Sequence, residues 1–250
     1  MVSVDYGDRT VARQYERGRA LEPEVLSSWR AAVVPFLPAR RWLRVMDLGA
    51  GSGIFARAWP AWRACGVVAV EPAAGMLSEL ISGGLPEAVV VVAAHGERIP
   101  LRDASVDVAW LSTVLHHLRD PYACARELRR LLIDDGVVLV RGALADRGFI
   151  PALEFFPGAE RAMSSFPTLA ATRNLFESAG FQLVDVLEVD DMGPRTVGSV
   201  LQWVGIVRHA DSLLARFTED ELARAIEAMK ARDPDELLPG STLALVVFRR

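Results

Sequence analysis

Asp47, Gly49, Gly51 and Gly53 alternate through the stretch Val45–Ile54, which reads VMDLGAGSGI. Glycines spaced this way let a backbone turn sharply and approach a ligand with no Cβ in between. The spacing is G-x-G-x-G with isoleucine at 54, whereas a dinucleotide site needs G-x-G-x-x-G with a pyrophosphate on the helix N-terminus. The carboxylate of Asp47 at the edge of such a loop repels a pyrophosphate and attracts a cation. Eighteen residues past Gly53 stands Glu71, placed to accept hydrogen bonds from both hydroxyls of a ribose. Tyr15 and Arg19, four apart, share one side of a helix. Arg19 suits a ligand carboxylate and Tyr15 a ligand cation, by cation–π attraction. In His116-His117, an imidazole with the ordinary pKa of about 6.5 would serve His116 as a general base. The competing reading is that the pair only shapes a pocket and satisfies backbone groups.

These residues need elements that carry them to one place. Short β-branched runs supply strands at 44–48, 66–71, 88–93, 106–111 and 137–142. Between them lie helical patterns: one starting over 54–59, one over 72–81, and one opened by Asp120-Pro121 and running to about Leu132. Runs this apolar suit strands covered on both faces. The β-α alternation therefore predicts a doubly wound α/β sheet, with ligands at the carboxyl ends of its strands. Further on, a helix over 170–179 with Gly180 as its cap and a strand over 181–189 are expected. They are followed by helices over 196–214 and 218–231 and a last strand over 242–248. Thr218 and Glu221 have capping-box spacing. Asp190-Asp191 reads as a solvated loop without a metal, and Trp110 and Trp203 as core or pocket wall.

A ribose, a positive centre, an amine and no phosphate describe S-adenosylmethionine. The chain resembles the class I S-adenosylmethionine-dependent methyltransferases, in the broad small-molecule group that includes ubiquinone-biosynthesis-type enzymes. VMDLGAGSG resembles the first motif of that family, which implies cofactor contacts at Asp47, Gly49, Ala50, Gly51 and Gly53. VVAVEPAAGML is similar to the second-strand motif, with Glu71 at the ribose position and Pro72 and Met76 beside the adenine. AAHGERIPLRDASVD is similar to the adenine-side segment, where His95 replaces the usual aspartate and is followed by Gly96 and Glu97. VAWLSTVLHHLRDP resembles the segment after the fourth strand, which implies that Leu111 and His116 lie near the cofactor. ARQYERGRA resembles an N-terminal segment that folds over the cofactor, bringing Tyr15 and Arg19. The resemblance spans residues 6–143. It implies a Rossmann-like, mainly parallel seven-stranded sheet with helices on both faces and an antiparallel last strand. It also implies one domain over 1–250, with a helical lid at about 1–40 and substrate-side additions at about 145–168 and 190–238.

Composition limits the partners. The 250 residues carry 28 Lys+Arg against 32 Asp+Glu, for a net charge of -4. No basic stripe is present to hold a nucleic acid. Base-amine methyltransferases usually carry an Asp/Asn-Pro-Pro-aromatic tetrapeptide after the fourth strand, where this chain has Leu111-Ser-Thr-Val114. Cys65 and Cys124 fit no metal or disulfide spacing and suit a reducing compartment. No leader or membrane-length run is evident, so a cytoplasmic protein with no membrane partner is expected. Phe149, Phe155, Phe156, Phe166, Met192 and Trp203 predict an apolar or aromatic small-molecule methyl acceptor. Two other functions stay open: a methylation-triggered cyclisation, and nicotinamide-dependent oxidoreduction, which Asp47 and Ile54 disfavour. The residues are silent on oligomeric state.

Overall fold

Two helices open the chain, α1 (Arg9–Arg19) and α2 (Pro23–Val33). An alternation follows: β1 (Leu43–Leu48), α3 (Ile54–Trp62), β2 (Cys65–Val70), α4 (Ala74–Ser82), β3 (Val89–Val92), β4 (Val106–Ser112), α5 (Pro121–Leu131) and β5 (Leu132–Gly142). The remainder holds α6 (Ala159–Met163), α7 (Leu169–Ser178), β6 (Gln182–Met192), α8 (Val197–Val207), α9 (Glu219–Lys230) and β7 (Ser241–Arg249). This computed structural model describes residues 4–19 and 21–250; residues 1–3 and 20 of the expected lid lie outside them. No described helix is long and apolar enough to cross a membrane.

The main sheet has seven strands in the order β3-β2-β1-β4-β5-β7-β6. Strands β1 to β5 pair in parallel, and β7 runs antiparallel to both β5 and β6. This is the expected doubly wound sheet. Strand order reverses between β1 and β4, and a ligand crevice opens at that switch point.

Alternation along each strand divides the core in two. Val45, Val108, Trp110 and Leu139 face α2 and α3, where Trp29, Phe55, Trp59 and Trp62 pack around Trp110. Met46, Leu48, Ala109, Leu111 and Val140 face α5 and α7. Burial on both faces is why these strands read as continuous apolar runs. A third, smaller core joins Phe155 and Phe156 to α8 and α9. A two-residue ladder between Arg195–Thr196 and Leu237–Leu238 adjoins it.

Local chemistry sets the element boundaries. Asp120 caps α5 by accepting from the Ala123 N–H at 2.9 Å, and Thr218 with Glu221 closes the capping box of α9. Two expectations need correction. The helix expected over 196–214 ends at Val207, because Asp211 accepts from the Leu213 and Leu214 N–H groups and starts a separate 3-10 turn. Asp190 and Asp191 lie not in a loop but in β6, which runs on to Met192; Asp190 is exposed there, whereas Asp191 is 5% exposed. Asp191 is kept there by the buried Arg141 guanidinium and by the Trp29 indole N–H, which donates to it at 3.0 Å.

Candidate functional site

The loop between β1 and α3 lies at the carboxyl end of the sheet. Gly49, Gly51 and Gly53 have φ of +68°, +56° and +92°, a region that L side chains rarely adopt. A Cβ on Gly49 would come within 2.4 Å of Val114, so that glycine is also needed for close packing. A Cβ on Gly51 would meet nothing within 4 Å, since the loop there faces open cleft. Gly53 begins α3, packed under Leu80, and does not line the cleft.

Glu71 stands at the end of β2, 6% exposed. Its carboxylate accepts from the Gly51 N–H at 2.9 Å and from the Ala73 N–H at 2.8 Å. The bond to Ala73 holds Pro72-Ala73 extended, which is why α4 starts at Ala74 rather than at Pro72. Each oxygen keeps a further lone pair for another donor. Burial lifts the Glu71 pKa, and the two N–H bonds counter part of that rise. Asp47 lies 1% exposed beneath the same loop, with Oδ2 lacking any hydrogen-bond partner. Burial and the neighbouring Glu71 charge push its pKa up to about 7. An orphaned, electron-rich oxygen here fits a cationic or amine-bearing ligand.

A cleft of about 490 Å³ opens above the loop. It gathers Tyr15, Gly49, Gly51, Glu71, Pro72, Met76, His95, Gly96 and Glu97 from the expected residues. Asp47, Ala50 and Arg19 line a narrower recess beside it, under Arg141 and Ser112. One expectation changes. Leu111 is wholly buried in the core facing α5; Ser112, Thr113 and Val114 line the cleft instead. The Glu97 carboxylate accepts from the Arg119 and Asp120 N–H groups at 3.1 Å, so it organises the loop before α5. Arg19 is already paired: its guanidinium donates to Asp211 at 2.6 Å and lies 5.5 Å from the centre of the Tyr15 ring. Tyr6 and His117, with rings 5.4 Å apart, also face the cleft; Tyr6 carried no sequence signal of its own, and His117 was marked only as half of the His116-His117 pair.

On the far side of Thr113 a second chamber of about 120 Å³ runs between the sheet, residues 150–152, α8 and residues 238–243. Phe166, Met192 and Trp203 line it as expected. Phe149 is instead 53% exposed, and Phe155 and Phe156 sit within the small third core. His116 belongs to this chamber, with Nε2 3.0 Å from the Ser212 hydroxyl. Burial and the adjacent His117 lower its pKa to about 2, so the ordinary basicity expected of His116 is lost. Thr113, with φ of +53°, lines cleft, recess and chamber alike. A β-branched residue in the left-handed region is strained, a condition often found where a backbone is held for function.

Known proteins bear on this site. Residues 46–140 match the family described as a methyltransferase domain. A malonyl-[acyl-carrier protein] O-methyltransferase from Enterobacter lignolyticus is 34% identical over 115 residues, 46% of this chain and 45% of that protein. The chain thus spans about half the length of the curated relatives it matches. Two solved structures share the fold. One is an Anabaena variabilis protein ascribed to the methyltransferases of an antibiotic biosynthesis pathway, with a TM-score of 0.70, 18% identity and 92% of this chain and 98% of that one covered. The other is the [4+2]-cyclase SpnF, with a TM-score of 0.62, 17% identity and 93% and 83% covered. The glycine loop, Glu71 and the turn at Thr113 all lie within residues 46–140, the segment that matches the methyltransferase-domain family.

Proposed function

We propose that this protein transfers a methyl group from S-adenosylmethionine to a small apolar or aromatic acceptor. The observation that carries the reading is Glu71, aimed by two backbone N–H groups at the mouth of a cleft that meets an apolar chamber at Thr113. When bound, the cofactor supplies an already activated methyl on its sulfonium. The chain's own contribution is then placement. Gly49 and Gly51 give a bare floor, Glu71 accepts from the ribose hydroxyls, and Asp47 offers negative charge to the amino acid end. The turn at Thr113 sets the acceptor chamber against the cleft. Alignment of this kind is worth roughly 7–11 kcal/mol of a barrier. His116, neutral at physiological pH, acts through its contact with Ser212 to shape the chamber wall rather than as a proton acceptor.

The placement is tested by calorimetry with S-adenosylhomocysteine, comparing wild type with Gly51→Val. A branched side chain at φ of +56° strains the loop and fills the space the ligand needs. Loss of binding, with NAD failing to bind the wild type, is the expected result; unchanged affinity in Gly51→Val refutes the placement. A fold neighbour is a cyclase, so product mass decides the reaction. A gain of one methylene unit supports methyl transfer, and an isomerised product without it contradicts the proposal.

A further inference from the structure

The acceptor chamber contains a cation with no counter-charge. Five of its lining residues are ionisable: Arg19, His116, Asp191, Arg195 and Asp211. Arg19 is paired with Asp211, and Asp191 with the buried Arg141. His116 is uncharged, held so by burial. Arg195 alone has no ion-pair partner among the described residues. One of its Nη atoms donates to the Ser199 carbonyl at 3.2 Å, the other reaches the Met192 sulfur at 3.8 Å, and its guanidinium carbon lies 5.9 Å from the centre of the Trp203 ring.

A half-buried guanidinium with one neutral oxygen partner leaves most of its five N–H donors without a protein acceptor, on the accessible lining of the chamber. Desolvation lowers its pKa, the mark of a charge that its surroundings do not neutralise. Such a fork is open to an anion entering the chamber, and a planar carboxylate matches it in two bonds. The N–H groups that open α8 cannot take that part. Thr196 accepts from Ser199, while Val197 and Gly198 donate to the carbonyls of Glu236 and Pro234.

We infer that the chamber binds acceptors bearing a carboxylate, with Arg195 receiving the carboxylate and Trp203, Phe166 and Leu238 enclosing the apolar body. The inference rests on the chamber being the acceptor site. A single net positive charge favours a monoanionic carboxylate over a phosphate dianion. Arg195 selects the ligand; it is not assigned to the chemical step.

The test uses matched pairs, 3-phenylpropanoate with 3-phenylpropanamide and hexanoate with hexanamide. Binding is measured by ligand-observed NMR with and without S-adenosylhomocysteine. In the wild type each acid should bind at least about tenfold tighter than its amide, a difference of about 1.4 kcal/mol. Arg195→Met, close in length and unable to carry charge, should abolish the preference, and Arg195→Lys should keep part of it. S-adenosylhomocysteine affinity and melting temperature should be unchanged in both variants, which separates a selective role from a structural one. Equal binding of acid and amide, binding by neither, tighter binding of phenyl phosphate, or a preference that survives Arg195→Met would each overturn the inference. A wild type that prefers acids yet fails to bind S-adenosylhomocysteine would strike the proposed methyl transfer and leave this anion site standing.

Discussion

Asp47 is the residue on which pH should act most directly. Its pKa of about 7 in the fold lies above the ordinary 3.8. Between those values the native chain holds a proton that the unfolded chain has lost. The stability this confers is complete below pH of about 4 and is lost as pH rises through about 7. Asp47→Asn removes the titration, so its melting temperature should gain on wild type between pH 5 and pH 8, at roughly 2–4 °C per kcal/mol. Binding should show the opposite slope. The ammonium of S-adenosylhomocysteine favours the ionised carboxylate, so wild-type affinity should rise from pH 6 to pH 8 while Asp47→Asn stays flat and weaker. Calorimetry at three pH values checks this, and affinity that falls over the range contradicts it. At this scale the glycines and Glu71 were legible because their chemistry is written in type and spacing. The partner of Arg19, 192 residues away, was not, and neither was the burial that removes the basicity of His116.

Elements control access to the cleft. Gly75 in α4 lies against the carbonyls of Tyr6, Gly7 and Asp8, at 2.6–2.8 Å from where a Cβ would stand. Backbone cannot yield as a side chain can, so Gly75→Val should lift residues 5–7 from the cleft they help to line. The sheet core should stay intact. Affinity for S-adenosylhomocysteine should fall by roughly tenfold, about 1.4 kcal/mol, with only a small change in melting temperature. An unchanged dissociation constant would show that residues 5–7 do not cover the ligand. Most elements were legible from apolar runs and caps, as at Asp120, Thr218 and Val106–Leu111. Where tertiary pairing decided the boundary, they were not. β6 reaches Met192 because Arg141 and Trp29 bury Asp191. The break after Val207 follows from Asp211, whose capping role looks the same in sequence as a surface aspartate.

For the whole molecule, ligand binding and folding are one equilibrium. S-adenosylhomocysteine at 100 times its dissociation constant should add about 2.7 kcal/mol to stability. For a chain of this size that is a rise in melting temperature of roughly 5–10 °C. The rise should be absent in Gly51→Val and present in Arg195→Met, a contrast that thermal melts can read. The doubly wound sheet was legible from the alternation of elements; its strand order and the switch point between β1 and β4 were not, because pairing between strands leaves no mark in the apolar runs. The third core, which walls the second chamber, was not, because its contacts join segments whose apolar residues follow no shared period. The most direct test of the central claim is a crystal structure with S-adenosylhomocysteine. Both ribose hydroxyl oxygens should lie about 2.6–3.0 Å from the Glu71 carboxylate. Density for the ligand elsewhere, with that carboxylate turned to solvent, would contradict the account.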